Sequence, residues 1–268
     1  MAITRQDLEA DRLRASLNST PVASTLLSDE ALDRSVRAAL QSRPRIATAG
    51  AGADDRHGGD VWLFGYGSLI WNPMVVHTER RLATVHGYHR GFYLYSRINR
   101  GTWDRPGLVL GLDRGGSCHG MVFRIPEAVL EQEFRVLWRR EMMTGAYHPR
   151  WLRVKLAGEP TPQRALAFVM NRSHEAYAGR LPDEQIVGCL QHACGLYGPA
   201  RDYLHQTVLG LATHGLDDPY LSRLWRQIQA ADALAAQARS ADPARPAPSD
   251  PVTEPAADPA PGPRRAAA

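Results

Sequence analysis

Two short stretches of this sequence carry residue types that can do chemistry. The first is Gly65-Tyr66-Gly67-Ser68-Leu69, directly after the apolar run VWLF at 61–64. Two glycines let a backbone approach a ligand closely, and successive N–H groups in such a turn form an anion-binding nest. Ser68 adds a hydroxyl, and Tyr66 a large wall with a polar tip. The stretch lacks the third glycine of a dinucleotide fingerprint, because position 70 is Ile. It also fails the G-x-S-x-G nucleophile pattern, since Tyr66 and Ile70 stand where glycines belong. A plain strand-to-turn junction would read the same way. The second stretch is a helix expected from Pro126 to about Met142. At about 100° per residue, Leu130, Phe134, Leu137 and Glu141 fall within an arc of roughly 60°. A carboxylate thus ends an apolar stripe. Desolvation there raises its pKa and makes a general base at physiological pH. The alternative is a solvated Glu at a helix end, or one paired with Arg139 or Arg140. Glu131 and Glu133 lie off the stripe and read as solvated.

Metal chemistry has little to stand on. His86 and His89, three apart in an expected strand, point to opposite faces. Cys189 and His192 could share a helix face, but two ligands do not make a site. All basic residues except Lys155 are Arg, and no phosphate-loop lysine motif occurs, which removes most lysine chemistry. The net charge of +4 is scattered, with no basic run and no basic–aromatic ladder, so nucleic acid is not an expected partner. Three cysteines (Cys118, Cys189, Cys194) make no disulfide framework in a chain of 268 residues. The polar start MAITRQDLEADR is no signal peptide, and no apolar run is long enough to span a membrane. A cytoplasmic protein is expected; oligomeric state is not legible.

The elements that must position these residues occupy the middle of the chain. Every aromatic residue lies between Trp62 and Trp225. Large apolar side chains build cores, so the folded domain is placed at 61–230. Residues 1–60 read as a leader and linker, either disordered or a helix docked on the domain, with Ser28 as an N-cap before Leu32, Val36 and Leu40. The Pro/Ala-rich tail, 241–268, cannot bury enough surface to fold. Between Leu82 and Ile125, strand-like runs are broken by turn signals, among them Gly115-Gly116. Strand character returns at 151–156 and 165–170, and helices follow at 182–194, 199–214 and 218–238. Strands and helices do not alternate, so the expectation is an α+β fold: a mixed β-barrel flanked by helices, with a C-terminal helical layer.

Several long motifs then resemble a known family. FGYGSLIWNP (64–73), YSRINRGTWDRPGLVLGLDRGG (95–116), LWRREMMTGAYHPRW (137–151), ALAFVMNRSHEAYAGRLPDEQI (165–186) and DYLHQTV (202–208), in this order, are similar to the ChaC family. These are the glutathione-specific γ-glutamylcyclotransferases. The resemblance covers about 61–228. It implies the γ-glutamylcyclotransferase-like barrel and a cofactor-free reaction that splits glutathione into 5-oxoproline and cysteinylglycine. It implies that Tyr66, Gly67, Ser68 and Leu69 hold the γ-glutamyl group, with Leu63, Phe64 and Gly65 leading in, and that Glu141 is the base. The nest at 67–69 would hold the α-carboxylate or stabilise the oxyanion. Tyr147 could wall the pocket or simply pack, and Arg97 or Arg100 could meet the glycine carboxylate. A cyclotransferase for other γ-glutamyl compounds and a non-catalytic binding protein are the competing readings.

Overall fold

The computed structural model describes residues 3–18, 20–44 and 59–241. Most of the expected linker (47–60) and the tail beyond 241 lie outside the described residues. The chain divides into Met1–Ile228 and Gln229–Ala268. Of the second unit, only the distal part of the last helix, up to Ala241, is described.

In the first unit five strands close into a barrel in the order β1-β3-β2-β4-β5. Strand β1 (Val61–Gly65) is buried along its whole length. It runs antiparallel to β3 (Gly107–Ile125) and parallel to β5 (Gln163–Met170), which makes the barrel mixed. A strand covered on both faces needs no polar alternation, which is why VWLF shows none. Strand β2 (Glu79–Ser96) pairs with β3 over almost its full length, and β4 (Tyr147–Leu156) with β5. The runs read as separate strands between Leu82 and Ile125 are therefore only two. Gly115-Gly116 is not a turn between strands. It forms a bulge opposite Gly87, where the register slips, and all three glycines take positive φ (103°, 67° and 84°). Only glycine adopts such angles cheaply, so the ladder slips there without ending.

After a 3₁₀ turn at Glu127–Val129, helix α5 (Leu130–Glu141) lays Leu130, Phe134 and Leu137 into the core. Trp138 packs between Phe134 and Phe168, with ring centroids 5.3 and 5.4 Å away. Later come α6 (Asp183–His192), a two-residue ribbon of β6 (Cys194–Gly195) with β7 (Gly198–Pro199), α7 (Ala200–Thr213) and α8 (Pro219–Ala241).

The N-terminal residues are helical and packed on the barrel unit: α1 (Arg5–Glu9), α2 (Arg12–Leu17), a 3₁₀ turn (Pro21–Thr25) and α3 (Asp29–Gln41). Ser28 caps α3 by accepting from the Ala31 amide. Leu32, Val36 and Ala39 of α3 join the main core, and Leu8, Leu13 and Leu17 build a second apolar cluster with Val136 and Met143. This docking overturns the expectation that Glu133 is solvated. Its side chain is 1% exposed and accepts two hydrogen bonds from Arg5, at 2.7 and 2.8 Å, and one from the Val76 amide. Glu131 is exposed, as expected.

The loop after β1 is tied down by Arg90 on β2. Its guanidinium donates to the carbonyls of Tyr66 (2.8 Å) and His119 (2.6 Å) and pairs with Asp218 (2.6 Å), which also accepts the Tyr220 and Leu221 amides at the start of α8. Losing one partner of a buried pair strands the other. Arg90→Met is therefore expected to cost about 3–5 kcal/mol of stability, read from denaturant unfolding; an unchanged midpoint would refute the role.

Candidate active site

Immediately beyond β1 the chain turns through Tyr66 and Gly67 into the single helical turn α4 (Ser68–Trp71). The Tyr66 ring is buried, and its hydroxyl donates to the Phe168 carbonyl of β5 at 2.8 Å. Gly67 has no room for a side chain: a Cβ there would lie 2.8 Å from the Tyr203 hydroxyl. Ser68 Oγ accepts from Arg140 at 2.9 Å, and the same guanidinium donates to the Asn72 carbonyl at 2.5 Å. Arg140 thus holds both ends of the α4 turn.

Arg140 also meets Glu141. Its Nε lies 2.9 Å from the carboxylate, and the two side chains are only 7% and 14% exposed. Both stripe-based readings of Glu141 are therefore realised at once: it is buried and it is paired. The carboxylate that ends the apolar stripe is therefore not an isolated one. Burial pushes the Glu141 carboxyl above the ordinary glutamate range, and the neighbouring guanidinium offsets only part of that shift.

Three tyrosines complete the surroundings. Tyr147, the first residue of β4, donates to the Leu110 carbonyl at 3.1 Å. Tyr203 on α7 accepts from the Leu110 amide at 3.3 Å, so the two phenols bracket the backbone of one residue of β3. Burial, with Glu141 close by, drives the phenols of Tyr66 and Tyr147 well above their usual pKa and that of Tyr203 up to about 12. All three stay neutral at physiological pH and can donate hydrogen bonds.

A cavity of about 190 Å³ opens between these elements. Its lining brings together Tyr66, Gly67, Ser68, Leu69, Glu141 and Tyr147, and adds two residues that sequence reasoning did not single out as site residues, Arg140 and Tyr203. Leu63, Phe64 and Gly65, expected to lead into the ligand, are strand core and do not line it. The Leu63 and Phe64 side chains are completely buried because both faces of β1 pack into the main core. Of the two arginines considered for a carboxylate, Arg100 is engaged by the carbonyls of Tyr197 (2.7 Å) and Pro199 (3.2 Å). Arg97 sits in the lining beside half-exposed Trp103, 4.5 Å from its ring centroid, and pairs with Glu175 at 3.0 Å. Among the described residues no group of three or more His, Cys, Asp or Glu is placed to hold a metal ion. No described helix is long and apolar enough to cross a membrane.

The close approach of Gly67 to Tyr203 can be tested directly. Gly67→Ala is expected to cost about 1–3 kcal/mol through overpacking. The penalty should shrink in a Tyr203→Phe background, which removes the atom the methyl meets. A double-mutant cycle of denaturation free energies checks this, and strict additivity would show that the two groups do not touch.

Comparison with known proteins follows the same residues. The family described as ChaC-like protein matches 61–231. The chain is 39% identical over 166 residues to the glutathione-specific gamma-glutamylcyclotransferase of Escherichia coli, covering 62% of this chain and 71% of that protein. It is 30% identical over 155 residues to glutathione-specific gamma-glutamylcyclotransferase 1 of Homo sapiens, covering 56% of this chain and 70% of that protein. The crystal structure of a selenomethionine-labelled γ-glutamyl cyclotransferase specific to glutathione from yeast superposes with a TM-score of 0.58 at 21% identity, over 63% of this chain and 96% of that one; at that identity the likeness is one of fold.

Proposed function

The chain belongs to the ChaC-like family, and on that premise we propose that it cleaves glutathione to 5-oxoproline and cysteinylglycine, with Glu141 as general base and then general acid. The observation that carries the reading is the placement of a buried carboxylate of raised pKa in one cavity with the Tyr66–Leu69 loop.

The chemistry asks little of the protein beyond geometry and one proton carrier. The α-amine of the γ-glutamyl group arrives mostly as an ammonium near neutrality. Glu141 accepts a proton from it, and the freed nitrogen attacks the γ-carbonyl of the same residue, closing a five-membered ring. The protonated Glu141 then returns its proton to the departing cysteinyl nitrogen as the carbon–nitrogen bond breaks, and the carboxylate so regenerated takes the second proton from the ring nitrogen and passes it to solvent, leaving the neutral lactam. Because attack is intramolecular, holding the γ-glutamyl arm folded back supplies up to roughly 7–11 kcal/mol of the barrier reduction. Gly67, Ser68 and Leu69 would receive the α-carboxylate or the oxyanion, with the Arg140 charge behind them. The neutral phenols of Tyr66 and Tyr147 would wall the γ-glutamyl arm. Ser68 is bonded to Arg140 rather than to a base, which fits a cyclisation that needs no acyl-enzyme. Residues 61–230 are assigned as the catalytic domain and 1–60 as a leader. Three free cysteines suit a reducing, cytoplasmic setting.

Purified protein incubated with reduced glutathione should release 5-oxoproline and cysteinylglycine, detected by mass spectrometry. Glu141→Gln should lose about 10²–10⁴-fold in kcat while staying folded, with a lowered melting temperature because the buried Arg140 loses its charged partner. Full turnover by Glu141→Gln would remove the base assignment. Product from γ-glutamyl-alanine but not from glutathione would redirect the substrate, and product from neither would favour a binding role.

The pH profile offers a separate check. A base must be deprotonated to act, so kcat/KM should fall as pH drops through a pKa above the ordinary glutamate range. Arg140→Met removes the positive charge that lowers the Glu141 pKa and should move this limb to higher pH. An acid limb at the ordinary value of about 4.3, or one that the substitution leaves in place, would argue against Glu141.

A further inference from the structure

The cavity is not built from the family-matched residues alone. Ile3, Leu13, Val22 and Thr25 also line it, and all four precede residue 61, where the match begins. They form an apolar stretch of wall: Leu13 and Val22 are 5% and 6% exposed, and Leu13 belongs to the cluster that includes Val136 and Met143.

This wall is fastened to the same elements that carry the catalytic groups. Arg5 grips Glu133 of α5 with both of its terminal nitrogens and donates to the Met74 carbonyl at 3.1 Å. Arg139, two residues before Glu141, donates to the carbonyls of Leu8 (3.0 Å) and Glu9 (2.9 Å). Asn72, at the end of the α4 turn, donates to the Ile3 carbonyl at 3.3 Å. The Leu27 amide donates to the Met143 carbonyl at 2.8 Å, just beyond Glu141. Seven hydrogen bonds thus join the leader to α4, α5 and their flanking residues.

Taking the cyclotransferase reading above as given, the γ-glutamyl group occupies the end of the cavity formed by Tyr66, Ser68 and Glu141. The leaving dipeptide must then lie along the remaining walls, which differ in character. Arg97 and Asn99 are polar, whereas Ile3, Leu13 and Val22 are apolar. A carboxylate suits the former, and a weakly polar side chain such as CH₂SH suits the latter.

We propose that the N-terminal segment 3–25 is a specificity wall that receives the side chain of the leaving residue next to the scissile bond. It sets the size of thiol substituent the enzyme accepts: Ile3, Leu13 and Val22 close around a free thiol and exclude bulky S-alkyl groups. Segment 3–25 is therefore part of the substrate site and not an appendage to it.

The test compares 5-oxoproline release from glutathione, S-methylglutathione and S-propylglutathione by the full chain. Ile3→Ala/Val22→Ala opens the wall and should raise the S-propylglutathione to glutathione ratio of kcat/KM about ten-fold or more, the scale of methylene-sized changes in an apolar pocket. Thr25→Trp narrows the same wall. It should lower that ratio and raise KM for glutathione with kcat little changed. Melting curves of each variant accompany the kinetics, and Thr25→Trp keeps the test decisive if the double alanine variant fails to fold. Ratios equal to wild type in a folded variant overturn the wall while leaving the activity intact. Absence of 5-oxoproline from wild type and glutathione instead overturns the activity reading, and the wall with it.

Discussion

A carboxylate held out of water beside a single guanidinium is the constraint around which this protein is organised. Glu141 ionises less readily than an ordinary glutamate because burial withholds solvent from its charged form. Arg140 prevents that cost from becoming prohibitive. Yet Arg140 is itself buried and needs further acceptors, which Ser68 and Asn72 supply. The α4 turn therefore has its shape partly because a buried cation needs oxygen atoms. The loop proposed to hold the substrate and the proposed base are thus joined through Arg140, which meets polar groups of both.

The barrel serves this arrangement by fixing where the backbone may go. Strand β1 is paired on both edges and delivers Tyr66 to one place. The phenols of Tyr147 and Tyr203 converge from β4 and α7 on the peptide groups of Leu110, so strand, helix and loop share one reference point. Gly67 is the place where this convergence leaves no volume for a Cβ. Catalytic geometry of this kind depends on rigid elements crossing at one spot, since positioning contributes as much as chemical character.

How much of this could be read from the sequence depended on how far apart the interacting partners lie along it. Glu141 announced itself because its own helix supplied the contrast: three hydrophobes on a stripe and then a carboxylate. The Tyr66–Leu69 loop was visible for the same local reason, as a glycine-rich turn after an apolar run. Glu133 was misread because the partner that buries it, Arg5, is 128 residues away and no periodicity within α5 records it. The only local hint is that Glu133 shares a side of α5 with Val136, which faces the leader cluster. Tyr203 is not legible as a site residue because a tyrosine among apolar residues on a helix reads as ordinary core; only its hydroxyl, bonded to the Leu110 amide, brings it to the cavity. Gly115-Gly116 was mistaken for a turn because the residue type that permits a chain reversal also permits a bulge.

The span between partners has a consequence for how the molecule comes into being. Arg5 meets Glu133, and Arg90 meets Asp218, each across 128 residues of chain. The β2–β3 hairpin is a local structure and can form as soon as both strands exist, but contacts of such separation carry their loop-closure entropy before they return any stabilisation. During synthesis Leu8, Leu13 and Leu17 are made before Val136 and Met143, the residues that complete their cluster. The pocket is then finished only when α7 brings Tyr203 to Leu110. A ribosome-bound fragment that stops short of Tyr203 would thus lack one wall of the cavity.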